Sequence, residues 1–203
     1  MNILFLTQIV PYPPDAGPRV KTWHVLRSLA MQGHSVTLIS FVRPEEEPHI
    51  AALENVCDAV HTVPIRRSRA ADLLYMIRSY LTSRPFLVER DDLTEMQAKV
   101  NKLVREKEFD FIHADQLTMV QFALRGAAVA QVKRPKVIFD AHNAVWTIVE
   151  RMRENARWFL KPVLAIEAKR VKRYEGELLK QVDHVLAVTE IDQAGLVEAL
   201  RTS

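Results

Sequence analysis

The chain has 203 residues, of which 48% are hydrophobic and 26% are charged, a balance typical of one globular domain with a sizeable core. Its formal net charge of +3 is too small to indicate nucleic-acid binding without a clustered basic face and stacking aromatic groups. Cys57 is the single cysteine, so an internal disulfide is excluded, and we expect its side chain to be a small buried apolar group. Because the sequence shows no secretion signal or membrane span, we expect a reducing, cytoplasmic compartment.

Short apolar runs alternate with longer segments of helical periodicity along the whole chain. Six strands are predicted, at residues 2–7, 35–40, 59–63, 109–113, 136–140 and 184–188. Helices are predicted at residues 17–32, 67–81, 91–106, 117–130, 145–181 with a break near Pro162, and 190–201. Gly33 should end the first helix in the left-handed conformation. This alternation predicts an α/β fold with a doubly wound, mainly parallel, Rossmann-like sheet.

Polar residues follow four of the predicted strands, at residues 8–19, 114–116, 141–144 and 189–190. Open parallel sheets bind their ligands beyond the carboxyl ends of the strands. These four segments should therefore meet along one edge of the sheet, although they are far apart in the sequence.

The first of these segments reads PYPPDAGPRVK and includes Asp15, Gly17 and Arg19. Gly17 would let a ligand approach the backbone, the helix that starts there favours an anion such as phosphate, and Arg19 would pair with it. A proline-stiffened connection in which Asp15 caps the helix explains the same residues equally well. Neither a GxGxxG fingerprint nor a GxxxxGK loop occurs, which disfavours NAD binding and P-loop chemistry.

The segment DAHNAVW places Asp140, His142 and Asn143 at and just after a strand end. Histidine exchanges protons near neutral pH, and a neighbouring amide can orient a hydroxyl, so His142 and Asn143 are candidate catalytic residues. A strand-end histidine followed by an asparagine that caps the next helix is the alternative interpretation.

The segment HADQ contributes His113, Asp115 and Gln116, which a polar turn before the next helix also explains. With Asp140 and His142, these side chains include enough ligands for a metal, so a metal-dependent hydrolase is an alternative function. No HxH, HExxH or DxD motif supports that alternative, and we expect no metal.

The segment Arg66–Arg90 combines an apolar helical stripe of Leu73, Leu74, Ile77 and Leu81 with arginines at its margins. Such a helix can lie on an anionic membrane surface. An ordinary helix that covers the sheet has the same pattern and is the preferred interpretation.

Together these segments resemble the amino-terminal domain of the family-4 retaining glycosyltransferases, which have the GT-B architecture of two facing Rossmann-like domains. The resemblance covers nearly the whole chain, through MNILFLTQIVPYPPDAGPRVKTWHVLRSLAMQGHSVTLIS, FDFIHADQ, DAHNAVW and YEGELLKQVDHVLAVTEIDQAGL. It implies that residues 1–203 form the acceptor-side domain and that a carboxy-terminal domain, which would hold the nucleotide-sugar, is absent. The last segment, GLVEALRTS, has a helical pattern that looks incomplete, which favours a truncated sequence over a naturally split protein.

The polar clusters and the resemblance together define the predicted site. His142, supported by Asn143, is implied to lie near the transferred sugar. The residues predicted to bind the donor phosphates or the acceptor are Asp15, Ala16, Gly17, Arg19, Asp115, Gln116, Asp140, Thr189 and Glu190. Pro18 stands where many relatives carry a second glycine, which weakens the expected backbone contact with a diphosphate. Glu167 and Glu175 have the spacing of the family's E-x7-E pair but lie in a helix of the first domain, so we interpret the match as coincidence.

The expected function is transfer of a sugar from a nucleotide-sugar to a hydroxyl acceptor with retention of configuration, in polysaccharide, glycolipid or other glycoconjugate synthesis. The nucleotide-sugar is a co-substrate, and no bound cofactor is expected. The expected partners are a sugar or lipid-linked acceptor and, through Arg66–Arg90, the inner face of a membrane. Residues 1–203 alone should be inactive, and a stand-alone nucleotide- or anion-binding module is the alternative.

Overall fold

Six strands form one fully parallel sheet in the computed structural model, which describes residues 1–203. The strands are β1 (Asn2–Thr7), β2 (Ser35–Val42), β3 (Ala59–Pro64), β4 (Phe111–Asp115), β5 (Lys136–Ala141) and β6 (His184–Ala187). Their order across the sheet is β3-β2-β1-β4-β5-β6, so the chain builds outward from β1 first in one direction and then in the other. This doubly wound topology confirms the predicted Rossmann-like fold.

Helices connect the strands on both faces of the sheet. They are α1 (Gly17–Met31), α2 (Ile50–Glu54), α3 (Arg69–Thr82), α4 (Phe86–Asp91), α5 (Thr94–Glu106), α6 (Leu117–Ala128), α7 (Val145–Asn155), α8 (Lys161–Leu179) and α9 (Glu190–Thr202), with a 3-10 helix at Pro44–His49.

Alternate residues of the strands face two separate cores. Leu4 and Leu6 of β1 belong to a cluster of 27 buried residues that α5, α6, α8 and α9 cover. Phe5 points to the opposite face, into a cluster of 8 buried residues that Leu26 of α1 and Leu53 of α2 complete. Because side chains alternate along a strand, Thr7 at the end of β1 lies on the same face as Phe5, beneath α1.

The predicted elements differ from the structure mainly at their ends. β4 lies two residues later than predicted, because Asp115 still pairs with Thr7 of β1 and with Asp140 of β5. The long helix after β5 is interrupted at residues 156–160, and Pro162 lies in the first turn of α8, where its missing N–H costs nothing. The short helices α2 and α4 were not predicted, since five or six residues are too few to show a period.

Two predictions about single residues are confirmed. Gly33 follows α1 with φ of 77°, the left-handed conformation expected of it. Cys57 is buried in the smaller core, and burial, with a smaller contribution from Asp58, raises the pKa of its thiol to about 12. A thiol in this environment behaves as an apolar group.

The preferred interpretation of the apolar stripe on α3 is wrong. Its side chains do not cover the sheet: Leu74 is 67% exposed and Leu81 is 79% exposed, and the one buried residue of the helix is Ser79. Apolar surface of this extent on a helix indicates a binding face. No helix of the chain combines the length and the apolar composition that a bilayer-spanning segment needs.

Candidate active site

The candidate site lies at the carboxyl ends of β1, β4 and β5. Thr7 pairs with Asp115, and Asp115 pairs with Asp140, so these three side chains form a row across neighbouring strands. The chain turns from one half of the sheet to the other between β1 and β4, and in open parallel sheets the ligand crevice forms at this switch point.

The carboxylate of Asp115 is fully buried and accepts three hydrogen bonds. The donors are Thr7 Oγ1 at 2.8 Å, Thr22 Oγ1 of α1 at 2.9 Å and His142 Nε2 at 2.7 Å. Since a carboxylate only accepts, the proton of a neutral His142 ring lies on Nε2, which leaves Nδ1 as its acceptor. Asp115 therefore sets both the orientation and the tautomer of His142, as the aspartate does in hydrolase triads.

Asp140 forms a second buried pair beside the first. Its carboxylate accepts hydrogen bonds from His113 Nε2 at 3.2 Å and from Lys21 Nζ at 2.5 Å. Burial acts to raise the pKa of Asp140, but the hydrogen bonds and charges of His113 and Lys21 outweigh it and lower that pKa overall. His113 of β4 also stacks on Phe5 at 4.3 Å between ring centroids, so this pair links β4 and β5 to each other and to α1 and β1.

Three of these side chains are close enough to share a metal ion. Ligand atoms of His113, Asp115 and Asp140 all lie within 4.8 Å of one another. Their oxygens, however, already accept from protein donors, and the ammonium group of Lys21 lies against Asp140 where a cation would bind. A metal could bind only by displacing these donors, so the cluster fits an internal hydrogen-bond network better than a metal centre.

A cavity of about 210 Å³ opens at this edge of the sheet, next to His142. Gln8, Gln116, Thr118 and Asn143 supply its other polar side chains. Its remaining lining residues are Pro18, Leu87, Leu117, Val145 and Ile148. A few convergent polar groups on an apolar wall are typical of ligand sites.

Gln116, which lines this cavity, has a strained backbone. Its φ is 80° and its ψ is 160°, a region that essentially only glycine occupies, and it costs another residue about 1–3 kcal/mol. Its N–H donates to the carbonyl of Asp140 at 3.1 Å, which holds the conformation. Strain of this kind concentrates at functional sites, so Gln116 is a stronger candidate than its sequence context indicated.

The loop before α1 differs from its sequence interpretation. Ala16 is the residue that precedes α1, and no side chain caps the helix, so the alternative in which Asp15 caps it is wrong. Asp15 instead pairs with Arg19 at 3.0 Å, and Arg19 also pairs with Glu46 at 2.7 Å. Arg19 is therefore not free, and an anion at this position would compete with two carboxylates. A Cβ added at Gly17 would meet open space.

Thr189 and Glu190 lie outside the cavity of His142. They line a separate cavity of about 500 Å³ between β6 and α9. The hydroxyl of Thr189 accepts from the N–H of Asp192 and caps α9, while Asp192 accepts from the N–H of Ala144 at 3.3 Å. This end of β6 therefore supports the loop that follows His142, and the structure shows no direct contact with that cavity.

Two glutamates of α8 cap the starts of other helices. Glu175 accepts from the N–H groups of Val145 and Trp146 at the start of α7, at 3.1 and 3.4 Å. Burial, opposed by these two hydrogen bonds, raises the pKa of Glu175 to about 7. Glu167 accepts from the N–H of Phe86 at 2.6 Å, at the start of α4. The seven-residue spacing of this pair therefore serves helix capping, and Glu175 fixes the helix that begins just after Asn143.

Sequence reasoning missed several side chains that complete the site. Lys21 and Thr22 of α1 hold the two buried carboxylates, and Gln8 both lines the cavity and donates a very short hydrogen bond to Asp91. Glu46, which holds Arg19, comes from the unpredicted 3-10 helix. The one signal in the sequence was position, because Lys21 and Thr22 lie one turn into the helix that starts at the carboxyl end of β1.

These features define a doubly wound α/β domain whose polar edge at the switch point contains a buried Asp–His pair. The chain belongs to the glycosyl transferase 4-like domain family, whose sequence model matches residues 16–201. This confirms the resemblance to the amino-terminal domain of the family-4 glycosyltransferases. No curated protein sequence matches the chain.

Two solved structures are similar to this chain at low identity. One is the UDP-GlcNAc 2-epimerase from Methanocaldococcus jannaschii, with a TM-score of 0.48 and 13% identity over 97% of this chain and 42% of that chain. The other is Arabidopsis thaliana UGT89C1 complexed with UDP-L-rhamnose, with a TM-score of 0.49 and 11% identity over 93% of this chain and 44% of that chain. The chain spans less than half the length of either protein.

Proposed function

We propose that this chain is the acceptor-side half of a GT-B glycosyltransferase that moves a sugar from a nucleotide-sugar to a hydroxyl acceptor with retention of configuration. The observation that carries the proposal is the hydrogen-bonded pair of His142 and Asp115, which lies beside Gln116 at the switch point of the sheet. The domain that contains this pair belongs to the glycosyl transferase 4-like family. In the reaction, the acceptor oxygen bonds to the anomeric carbon, the bond to the nucleotide diphosphate breaks, and the acceptor proton leaves with the diphosphate.

His142 would orient the reacting groups. Its Nε2 is committed to Asp115, so Nδ1 is the ring nitrogen that accepts from a sugar or acceptor hydroxyl. Fixing a hydroxyl in the attacking geometry removes much of the entropic barrier to transfer. Gln116 and Asn143, which line the same cavity, would hold the other hydroxyls of the bound sugar.

The start of α1 would stabilise the charge that develops on the leaving diphosphate. No side chain caps this helix and no acidic residue lies in its first turn, so its amides face no competing anion from within the helix. The open space at Gly17 lets a phosphate approach them. Arg19, held by Asp15 and Glu46, would contribute less than its sequence position implies.

Asp115 and Asp140 would act indirectly. Both are buried and satisfied by protein donors, so we assign them as positioning residues that hold His142 and the Lys21 end of α1. The reaction is proposed to need no metal, since electrostatic stabilisation comes from the helix amides and the second domain.

The experiment is a sugar-transfer assay of the full-length protein with a panel of nucleotide-sugars. His142→Ala should lower kcat at least about 100-fold, whereas His24→Ala, which removes an exposed histidine of α1, should leave it unchanged. Nuclear magnetic resonance of the first product gives the anomeric configuration, and inversion would contradict the proposed retention. Nucleotide binding without any turnover would favour the stand-alone binding module instead.

Location at the cytoplasmic face of a membrane is a further part of the proposal. The exposed leucines of α3 would enter the acyl region of the bilayer, and the unpaired Arg66 and Arg69 would contact anionic lipid headgroups. Vesicle flotation tests this contact: binding to anionic vesicles that salt weakens is expected, and equal binding to neutral vesicles would contradict it.

A further inference from the structure

Three cavities that share lining residues lie one after another between the candidate active site and the exposed face of α3. Ile148 of α7 lines the cavity of His142 and also a second groove of about 690 Å³. Val163 and Leu164 of α8 line this second groove and also a third groove of about 550 Å³ between α3 and α8. We call this series of cavities the apolar track. It runs from the polar edge of the sheet to the surface of the molecule.

The walls of the apolar track are apolar side chains that solvent reaches. Exposed apolar residues that line it include Leu73, Ile77, Tyr80, Leu81, Met152 and Val163. The second and third grooves are within the range of about 300–1,000 Å³ that small-molecule pockets occupy. Soluble proteins rarely leave contiguous apolar surface of this extent unless it binds something.

Positive charge borders the apolar track at two points, one in the second groove and one in the third. Arg151 lies one helical turn beyond Ile148, and only its Nε is engaged, as a donor to the carbonyl of Thr147 at 3.3 Å. Arg170 lies over the ring of Tyr80 at 5.2 Å and forms no ion pair. Guanidinium groups without carboxylate partners are suited to phosphate.

We propose that the apolar track binds the hydrocarbon chain of a lipid-linked acceptor, whose hydroxyl-bearing head lies beside His142 and whose phosphate lies at Arg151. The inference rests on the proposed sugar transfer and names the acceptor class for that reaction. A water-soluble sugar would leave the track without a role. Docking on a bilayer would use the face of α3 but would not require cavities that continue to Ile148.

The test measures binding of butyl, octyl and dodecyl phosphate, below their micellar concentrations, to the full-length protein by calorimetry. One buried methylene strengthens binding by up to about fourfold, so dodecyl phosphate should bind at least 100-fold more tightly than butyl phosphate. Ile77→Asp and Val163→Asp should each weaken dodecyl phosphate binding at least tenfold. Both residues are more than half exposed, so the variants should fold. Val132→Asp, at an exposed residue that lines none of the three cavities, is the matched control and should bind normally.

Arg151→Ala should weaken all three probes by a similar factor of about ten, because it removes a phosphate contact and no contact with the chain. Equal affinity for the three probes, or an equal loss in Val132→Asp, would overturn the proposal. So would binding of the protein to anionic vesicles without binding of monomeric dodecyl phosphate, since the face would then serve a bilayer alone.

The two proposals fail in different ways. If Val163→Asp and wild-type protein bind dodecyl phosphate equally while both transfer sugar, the apolar track is wrong and the glycosyltransferase function stands. If dodecyl phosphate binds as expected but no nucleotide-sugar is turned over, the proposed function is wrong and the track remains a hydrocarbon-binding site.

Discussion

Replacing Glu175 by glutamine should change how the stability of the domain depends on pH. Glu175 is fully buried, and its pKa is raised from 4.5 to about 7, so the folded state binds this proton more tightly than the unfolded chain. The free energy of unfolding therefore falls as pH rises, and this loss begins near pH 4.5 and is complete above pH 7. At 1.36 kcal/mol for each pKa unit, the charged group costs about 1 kcal/mol at pH 5 and about 3 kcal/mol at pH 8.

Glu175→Gln removes this titration and keeps an acceptor for one of the two amides at the start of α7. Urea unfolding at pH 5, 6, 7 and 8 should show the variant gaining about 2–3 kcal/mol relative to wild type between pH 5 and pH 8. The lost hydrogen bond costs about 1 kcal/mol at every pH and cancels in this comparison. Glu177→Gln controls for removal of a carboxylate from the same helix, since Glu177 is only half-buried and pairs with Arg173 at 2.8 Å. A difference between Glu175→Gln and wild type that does not change with pH would refute the reasoning.

Three further predictions concern the cavity and its charges. Gln116→Gly should stabilise the domain by about 1 kcal/mol, because relief of about 1–3 kcal/mol of backbone strain exceeds the entropic cost of glycine. The same variant should slow sugar transfer at least tenfold, whereas Gln116→Ala should slow transfer without gaining stability. Equal melting temperatures for the two variants would contradict this prediction. Gly17→Ala should leave urea stability within about 0.5 kcal/mol of wild type but raise the KM for the nucleotide-sugar about tenfold, and an unchanged KM would show that no ligand approaches this backbone. Prolonged treatment with a chelator should leave the transfer rate within about twofold, whereas loss of activity that manganese restores would favour a metal at His113, Asp115 and Asp140.

Much of the fold was predictable because local pattern and topology agree. Apolar runs such as β1 could only be buried strands, and the right-handed crossover rule then fixed where their carboxyl ends meet. That is why Asp115, Asp140 and His142, which come from two separate segments, could be expected at one edge of the sheet. The hydrogen bond between Asp115 and His142 follows from that shared edge and from the register of β4 against β5.

The rest depends on tertiary contacts that have no local signature. Lys21 has the pattern of an ordinary surface lysine, and only the folded chain brings the start of α1 to the carboxyl end of β5, where Lys21 meets Asp140. The positive φ of Gln116 is imposed by its surroundings against the preference of the residue, so no propensity predicts it. The stripe on α3 specified an amphipathic helix correctly, but periodicity does not say what covers the apolar side, and the structure leaves it exposed.

The most direct test of the catalytic edge is a double-mutant cycle on sugar transfer with His142→Ala, Asp115→Asn and the double variant of the full-length protein. Asp115→Asn alone should lower kcat at least tenfold. If Asp115 acts by orienting His142, adding Asp115→Asn to the His142→Ala variant should lower kcat by no more than about threefold further. Effects that multiply in the double variant would show that the two residues act independently and would contradict the account.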